Sequence, residues 1–269
     1  MMVEARSVKV YDLEGEAVGE LVLPPVFSTP VRPDLIRRAV LALLTSRLQP
    51  KGTDPMAGER TTAESWGVGY GIARVPRIKG GRRAALVPQA VKGRRAHPPR
   101  VEKRIRELIN RKEKRLATAS AIAATADPRF VSMRGHRVSS VKQIPMIVVD
   151  ELQELSRTAH VRDVLKALGL WDDVERAARG VRVRAGRGKM RGRRYKKPKS
   201  LLIVVGRDYG IYRAARNLPG VDVATAKLLN VVDLAPGGVP GRLTVYTVSA
   251  VEELGERFKE VVVWRPLAW

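Results

Sequence analysis

Residues 201–223, LLIVVGRDYGIYRAARNLPGVDV, contain the pattern that decides the fold. The apolar run LLIVV at 201–205 predicts a strand buried on both faces, because a strand with one solvated face would alternate polar and apolar residues. Residues 212–217 predict a short helix, and residues 221–223 predict the next strand. Two strands joined by a helix favour parallel pairing, so this stretch predicts an α/β fold.

The second half of the chain continues this alternation. Further apolar runs predict strands at residues 144–149 and 243–248. Helical spacing of apolar residues predicts helices at 150–170, 225–229 and 249–258. Ser249 and Glu252 form the Ser-x-x-Glu pattern that is typical of a helix start. We therefore expect a single α/β domain whose mainly parallel sheet is flanked by helices.

The first half of the chain predicts a hairpin and two helices. Two strands are predicted around a turn at 13–16, with apolar residues at Val8, Val10, Val18, Leu21 and Leu23. Pro33 is a favoured first helical residue, and the apolar stripe that follows predicts a helix ending near Pro50. A second long helix is predicted from Pro99 to Ala126, with apolar residues at Val101, Ile105, Leu108, Ile109 and Leu116.

Basic residues are concentrated in two runs. The 269 residues include 51 Lys and Arg against 27 Asp and Glu, a formal net charge of +24. Residues 65–101 hold nine basic and no acidic residues, and residues 179–199 hold eleven basic and none acidic. We predict a globular body of residues 1–49 and 99–269, a long loop inserted at 50–98, and a second basic loop at 179–199 within the body.

This charge indicates the class of partner. It opposes compaction unless a polyanion neutralises it, so nucleic acid is the leading partner. A membrane partner is not expected, because the basic runs are rich in Gly and Pro rather than amphipathic. No apolar run approaches the roughly 20 residues of a membrane span, and the N-terminus lacks a hydrophobic signal segment. The chain has no cysteine, which excludes disulfides and thiolate metal sites. We expect a cytoplasmic protein.

Both runs combine glycines with arginines. Glycine lets a backbone approach another surface closely, and guanidinium groups bind phosphates bidentately. The alternative, a disordered solubilising segment, fits less well because both runs are internal. We predict RNA contacts at Arg74, Arg77, Lys79, Arg82, Arg83, Lys92, Arg94, Arg95, Arg100, Arg182, Arg184, Arg187, Lys189, Arg191, Arg193, Arg194, Lys196 and Lys197.

Aromatic residues accompany these cations. Trp66 and Tyr70 in the first run and Tyr195 in the second are predicted to stack on unpaired bases. The second long helix also carries basic residues that form either a solvated face or further phosphate contacts: Arg104, Arg111, Lys112, Lys114 and Arg115.

Two glycine patterns suggest an enzyme but fail in context. Residues 67–71, GVGYG, resemble part of a dinucleotide-binding fingerprint, yet no strand is predicted before them and Pro76 prevents an immediate long helix. The turn at 205–208 lacks a second glycine and the Lys-Ser/Thr ending of a phosphate-binding loop.

The remaining polar candidates do not form a site either. His97, His136 and His160 lack metal-ligand spacing, so we expect each to contact RNA or solvent. Asp54 and Glu59 lie near threonines, but a hydroxyl without a base is no nucleophile. We expect no catalytic residue, metal, cofactor or small-molecule substrate. An RNA-processing enzyme would need a pocket on which acid, base, metal or cofactor groups converge, and a chromatin-type DNA binder would need a motif that reads a DNA groove. The sequence shows neither feature.

Residues 54–71, DPMAGERTTAESWGVGYG, resemble large-subunit ribosomal protein four in its archaeal and eukaryotic form. The segments ARVPRIKG at 73–80 and RRAALVPQAVKGRRAHPP at 82–99 resemble it too. So do RGKMRGRRYKKPKSLLIVVG at 187–206 and NLPGVDVATAKLLNVVDL at 217–234. The match covers almost the whole chain, which stops soon after its last strand and helix, as the short archaeal form does.

The resemblance implies a structural role in the large ribosomal subunit. It implies an α/β body on the outside of the subunit and a loop that threads through ribosomal RNA to the wall of the nascent-peptide exit tunnel. The implied partners are large-subunit ribosomal RNA, neighbouring large-subunit ribosomal proteins and the nascent peptide. By this resemblance the loop tip is expected within 69–86, which implies that the residues at the tunnel are Gly69, Tyr70, Gly71, Ile72, Arg74, Arg77, Arg82 and Arg83. Composition alone indicates RNA binding and does not indicate the ribosome.

Overall fold

The computed structural model describes residues 6–261, which form two compact units. We call residues 6–44 and 108–261 the body, and residues 45–107 the extension unit. The strands are β1 (Ser7–Tyr11), β2 (Ala17–Val22), β3 (Ala63–Glu64), β4 (Arg77–Ile78), β5 (Met146–Val148), β6 (Arg182–Val183), β7 (Tyr195–Lys196), β8 (Leu202–Val205), β9 (Asp222–Thr225) and β10 (Thr244–Thr247). The α-helices are α1 (Pro33–Thr45), α2 (Arg111–Thr125), α3 (Pro128–Met133), α4 (Thr158–Ala167), α5 (Trp171–Arg179), α6 (Ile211–Ala215), α7 (Val231–Leu234) and α8 (Val248–Phe258).

The body is built on a six-stranded sheet with the strand order β2-β1-β5-β10-β8-β9. β1 pairs antiparallel with β2, and every other neighbouring pair in this sheet is parallel. Parallel neighbours need crossover connections, which the helices between them supply. The predicted α/β fold with a mainly parallel sheet is therefore confirmed.

The central strands are covered by helices on both faces. Leu202 and Val204 of β8 pack into one core together with residues of α1, α2, α7 and α8. Ile203 and Val205 pack into a second core with residues of α4, α5 and α6. Every residue of β8 and β10 is buried, which is the physical reason for the continuous apolar sequence of β8 and for the β-branched and aromatic residues of β10. Within residues 6–261, no helix combines the length and apolar character needed to cross a bilayer.

The N-terminal hairpin and α1 are confirmed, but the second long helix begins later than predicted. α2 starts at Arg111 rather than at Pro99, and Asn110 and Glu113 cap it reciprocally. Val101 and Leu108, which were expected on its apolar stripe, are exposed. A helix extended back to Pro99 would thus gain no burial for these two residues.

Two helix predictions in the second half need correction. The helix predicted at 150–170 is a 3-10 turn at Asp150–Glu154 followed by the separate helix α4. The helix predicted at 225–229 is wrong, because β9 runs to Thr225 and α7 begins only after Asn230, which caps it. The helices α3 and α5 were not predicted.

The capping role predicted for Ser249 is also wrong. α8 begins one residue earlier, at Val248, and the hydroxyl of Ser249 donates a hydrogen bond to Asp150 Oδ1 at 2.6 Å. Ser249 therefore connects α8 to the turn after β5 instead of closing its own helix.

Candidate nucleic-acid interface

The second basic run, residues 179–199, forms a short hairpin that we call the basic hairpin. β6 and β7 pair antiparallel with Arg182 opposite Lys196, and a 3-10 turn at Arg187–Arg191 lies between them. Gly186 and Gly192 flank this turn with φ values of 75° and 77°, which strain other residues. The predicted basic loop thus has a defined backbone.

Arg184 connects the two arms of the basic hairpin. Its Nε donates to the carbonyl of Arg193 at 3.1 Å, and its Nη2 donates to the carbonyl of Tyr195 at 3.4 Å. Its backbone N–H donates to the carbonyl of Arg194 at 2.8 Å. Part of the hydrogen-bonding capacity of Arg184 is therefore used within the hairpin.

The other predicted contacts of the basic hairpin are exposed cations. None of them forms an ion pair with a carboxylate of residues 6–261. These eight cations are Arg182, Arg187, Lys189, Arg191, Arg193, Arg194, Lys196 and Lys197. The guanidinium of Arg194 lies 5.8 Å from the ring centroid of Tyr195, which is 50% exposed. Eight like charges on so short a segment repel one another, and a polyanion relieves that repulsion.

The base of the basic hairpin is fixed by Asp173 of α5. Its carboxylate accepts hydrogen bonds from Arg176 Nε at 2.7 Å and from Ser200 Oγ at 2.9 Å. His136 Nδ1 lies 2.9 Å from the same carboxylate. Arg176 also donates to the carbonyl of Lys199 at 2.9 Å. The residues that precede and follow the hairpin are therefore connected through one buried carboxylate.

Burial alone would raise the pKa of Asp173, but the hydrogen bonds from His136 and Arg176 outweigh it and hold this pKa far below its usual range. Burial lowers the pKa of His136 in spite of the neighbouring Asp173. Asp173 is thus ionised and His136 neutral at neutral pH. The prediction that His136 contacts RNA or solvent is wrong, because its side chain is 2% exposed.

A second buried charge fixes the same base. The fully buried Arg242 donates to the carbonyls of Ser200 and Leu201 at 2.8 and 3.1 Å, and to Asp222 Oδ2 at 2.7 Å. Asp222 also pairs with Lys199 at 2.7 Å. Lys199, the last cation of the run, is therefore an anchor of the hairpin.

The extension unit, residues 45–107, has almost no core of its own. β3 and β4 pair antiparallel, and Arg77 also bridges to Ala84. Ala85 is the one buried residue of the unit. Burial of apolar side chains is the main favourable contribution to folding, so this unit gains little stability from its own side chains.

Three of the cations predicted to contact RNA in the extension unit have internal partners. Arg77 donates to the carbonyls of Arg82 and Ala73. Lys79 lies 3.8 Å from Glu64, and Arg94 lies 3.6 Å from a carboxylate oxygen of Glu59. The remainder are exposed and have no carboxylate partner within residues 6–261: Arg74, Arg82, Arg83, Lys92, Arg95 and Arg100.

The predicted aromatic residues of the extension unit lie together. The rings of Trp66 and Tyr70 have centroids 5.8 Å apart and planes at 67°, and the side chains are 41% and 64% exposed. Gly67, Gly69 and Gly71 have positive φ and no atom near an added Cβ, so the backbone between the rings is open to an approaching partner. The strand β3 does precede these glycines, but it pairs antiparallel and no helix follows before α2. A dinucleotide-binding turn is therefore absent here.

The other glycine and carboxylate patterns have structural explanations. A side chain at Gly206, in the turn after β8, would meet Ser249 Oγ at 2.5 Å, so this glycine allows α8 to pack closely. Asp54 pairs with Arg60, and Glu59 pairs with Arg94.

Sequence reasoning missed the anchors of the basic hairpin. Asp173 and Arg176 stand three residues apart, a spacing that brings side chains together on a helix, but α5 itself was not predicted. Arg242 lies outside any regular element, and nothing in the sequence marks it as buried.

Comparison with known proteins gives a consistent result. A family model described as "Ribosomal protein L4/L1 family" matches residues 21–257. The large ribosomal subunit protein uL4 of Methanopyrus kandleri is 57% identical over 256 residues, covering 93% of this chain and 98% of that protein. The protein of the same name from Methanocaldococcus jannaschii is 57% identical over 250 residues, with the same coverage. That of Methanococcus vannielii is 54% identical over 252 residues, covering 94% of this chain and 100% of that protein.

Proposed function

This chain belongs to the ribosomal protein L4/L1 family, and on that premise we propose that it is a structural protein of the large ribosomal subunit. It acts without catalysis, in the cytoplasm, by binding large-subunit ribosomal RNA beside neighbouring ribosomal proteins and supporting assembly of the subunit. The archaeal relatives agree with the archaeal form that the sequence resembles.

The observation that carries RNA binding is the combination of free cations and a fixed base in the basic hairpin. Eight of its exposed cations have no carboxylate partner within residues 6–261, whereas Arg176 and Lys199 at its base are held by Asp173 and Asp222. A fixed base lowers the entropy lost on binding, and the free cations neutralise phosphates. Because phosphate contacts dominate such an interface, it holds a folded RNA without reading its sequence in detail.

Co-sedimentation tests this proposal. The purified protein is mixed with a large-subunit ribosomal RNA transcript from Methanocaldococcus jannaschii and separated on a gradient at moderate and at high salt. We expect it to travel with the RNA at moderate salt and to be released at high salt, because counterions compete for the phosphates. Protein that stays at the top of the gradient at every salt concentration contradicts RNA binding.

The extension unit supports a finer proposal. With a single buried residue, Ala85, it depends on a partner surface for its stability, and its free cations suit ribosomal RNA as that surface. We propose that the loop at 50–98 threads through this RNA and that its tip, residues 69–86, forms part of the nascent-peptide exit tunnel wall and contacts the nascent peptide.

Deleting residues 69–86 tests the tunnel role. We expect incorporation into subunits to be largely unchanged, because the basic hairpin and the rest of the loop keep their phosphate contacts. The response to tunnel-binding antibiotics and pausing on arrest peptides should change. Quantitative mass spectrometry of purified subunits measures incorporation. If the deletion removes the protein from subunits, or leaves both tunnel responses unaltered, the tunnel assignment is wrong.

A further inference from the structure

A cavity of about 320 Å³ lies in the body, remote in sequence from the basic hairpin, where the first turns of α2 meet α8. Within residues 6–261, its charged lining is four cations and no carboxylate: Arg111, Lys114, Arg115 and Arg257. Uncharged polar side chains, those of Thr118 and Asn230, complete its polar lining. Four cations from two helices thus converge on a cavity without a counter-charge in its walls.

The cation from α8 is fixed in place. Arg257 Nη1 donates to the carbonyls of Ala226 and Leu229 at 2.6 and 3.2 Å. Burial lowers the pKa of Arg257, and the positive charge of Arg115 lowers it further. Both guanidinium groups line the same cavity, so an anion between them would remove their mutual repulsion.

The cations from α2 have little compensation within residues 6–261. Arg111 and Lys114 form no ion pair there, and Arg115 reaches only Glu260, at 3.5 Å, whose side chain is 89% exposed. Such an exposed pair contributes little. The positive end of the helix dipole also disfavours cations in the first turns, yet α2 begins with Arg-Lys-Glu-Lys-Arg. These side chains are unfavourable for the helix itself, which indicates that they serve an external ligand.

The cavity fits a phosphate group better than a whole nucleotide. Guanidinium and ammonium groups donate several charge-assisted hydrogen bonds to phosphate oxygens. A base, in contrast, needs an exposed aromatic face, and the nearest ring, that of Phe258, is buried and lies 5.1 Å from the Arg257 guanidinium. The recognised group is therefore the phosphate.

We propose that this cavity is a third RNA-binding surface, in which a backbone phosphate of large-subunit ribosomal RNA lies among Arg111, Lys114, Arg115 and Arg257. The inference rests on the proposed RNA-binding function and extends it to a face of the body formed by α2 and α8. Of the two alternatives left open for the basic residues of α2, a solvated face or phosphate contacts, this inference favours phosphate contacts.

The variant Arg111→Ala/Lys114→Ala tests this surface, because both side chains are exposed and unpaired within the described residues. We expect the slope of log affinity against log salt for the ribosomal RNA transcript to become shallower by about 1.5, since two phosphate contacts are lost. Affinity at moderate salt should fall roughly three- to tenfold. The thermal midpoint should stay equal or rise, because alanine favours the helix and two cations leave its N-terminal turns. A residue with a merely structural role would lower it.

The matched control is Arg37→Ala/Arg213→Ala, which removes from α1 and α6 two exposed cations that form no ion pair within the described residues. It should leave the slope unchanged. If both double variants keep the wild-type slope while charge removal in the basic hairpin makes it shallower, this inference is overturned and the proposed function stands. If the wild-type protein fails to bind the transcript, the proposed function itself fails.

A second measurement distinguishes RNA phosphate from free phosphate. The Nε–H resonance of Arg257 is followed by NMR while either inorganic phosphate or an RNA fragment protected by the protein is added. We expect the RNA fragment to shift it at far lower concentration, and the shift to be lost in Arg111→Ala/Lys114→Ala. A response to inorganic phosphate alone would make the cavity a free-anion site and refute the RNA assignment.

Discussion

The five-alanine variant of the basic hairpin changes Arg187, Lys189, Arg191, Arg193 and Arg194 to Ala. Each of these side chains is exposed and lacks a carboxylate partner within the described residues, so its loss breaks no ion pair there. The backbone carbonyls of residues 193 and 194, which accept hydrogen bonds from Arg184, are retained. The variant should therefore keep the hairpin and lose only its charge.

The magnitude follows from counterion release. If each of the five cations meets one phosphate, the slope of log affinity against log salt becomes shallower by roughly 3.5 to 4.5. Between 50 and 200 mM salt, the wild-type protein should then lose about two to three orders of magnitude more affinity than the variant. Filter binding to the large-subunit ribosomal RNA transcript, at four or more salt concentrations, measures both slopes.

A charge-matched control separates the hairpin from net charge. It changes five exposed cations on other parts of the body to alanine: Lys9, Arg162, Arg213, Arg216 and Lys227. We expect the control to keep a slope close to that of the wild-type protein. If the hairpin variant differs from wild type by less than about 1 in slope, or if the control falls as far, phosphate contact by the hairpin is refuted.

Three further outcomes concern stability. The pKa of Asp173 is lower in the folded protein than in the unfolded chain, so its contribution to stability is present above about pH 4 and is lost as the pH falls. The lowered pKa of His136 likewise reduces stability as the pH falls below about 6.5. Asp173→Asn should weaken this acid dependence and should lower the free energy of unfolding at pH 7, measured by urea titration, by about 3 kcal/mol. Arg242→Met leaves the carbonyls of Ser200 and Leu201 without their buried donor and should lower stability by about 3–5 kcal/mol, whereas Arg162→Met should change it by less than about 0.5 kcal/mol. Replacing residues 50–98 with a short Gly-Ser linker should leave cooperative thermal unfolding intact, because the buried faces of α1 and α2 lie in the body core; a lost transition would show that the loop belongs to that core.

The strands of the central sheet were predictable because burial on both faces leaves a simple signature. β5, β8 and β10 are fully buried, and each was predicted from a run of apolar or β-branched residues within one or two residues of its ends. β9, which lies at the sheet edge and is half-buried, was also placed within one or two residues of its ends, but its last residue, Thr225, was predicted as the first residue of a helix.

The helix boundaries were harder to predict because capping decides them. Residues 99–110 carry apolar residues at helical spacing, yet the reciprocal bonds between Asn110 and Glu113 start α2 at Arg111. A capping pair placed inside an apolar pattern outweighs the pattern when the preceding residues gain no burial. Ser249 shows the converse, because a correct capping sequence is used for a tertiary hydrogen bond to Asp150.

The candidate interface was predictable in its cations and not in its anchors. A run of arginines without acidic neighbours can be recognised in the sequence. The anchoring roles of Arg242 and Asp173 can be recognised only in the fold, which brings Ser200, Lys199 and Asp222 together with them. Likewise, Arg257 lies 146 residues from Arg111 in the chain, so no local pattern joins the two helices of the proposed phosphate cavity.

Buried anchors in the body provide stability, whereas the exposed basic surfaces provide the proposed RNA binding. Asp173 and Arg242 are buried with almost complete hydrogen-bond partners, and they hold the residues just outside the basic hairpin. The eight unpaired cations of the hairpin, and Arg111 and Lys114 of α2, form no ion pair within residues 6–261 and repel their neighbours. Charge removal at the surface should therefore weaken RNA binding without unfolding the body, while loss of an anchor should unfold the base and weaken binding as a consequence. Measuring affinity and stability on the same variants distinguishes the two classes: surface variants should change affinity alone, and anchor variants should change both together.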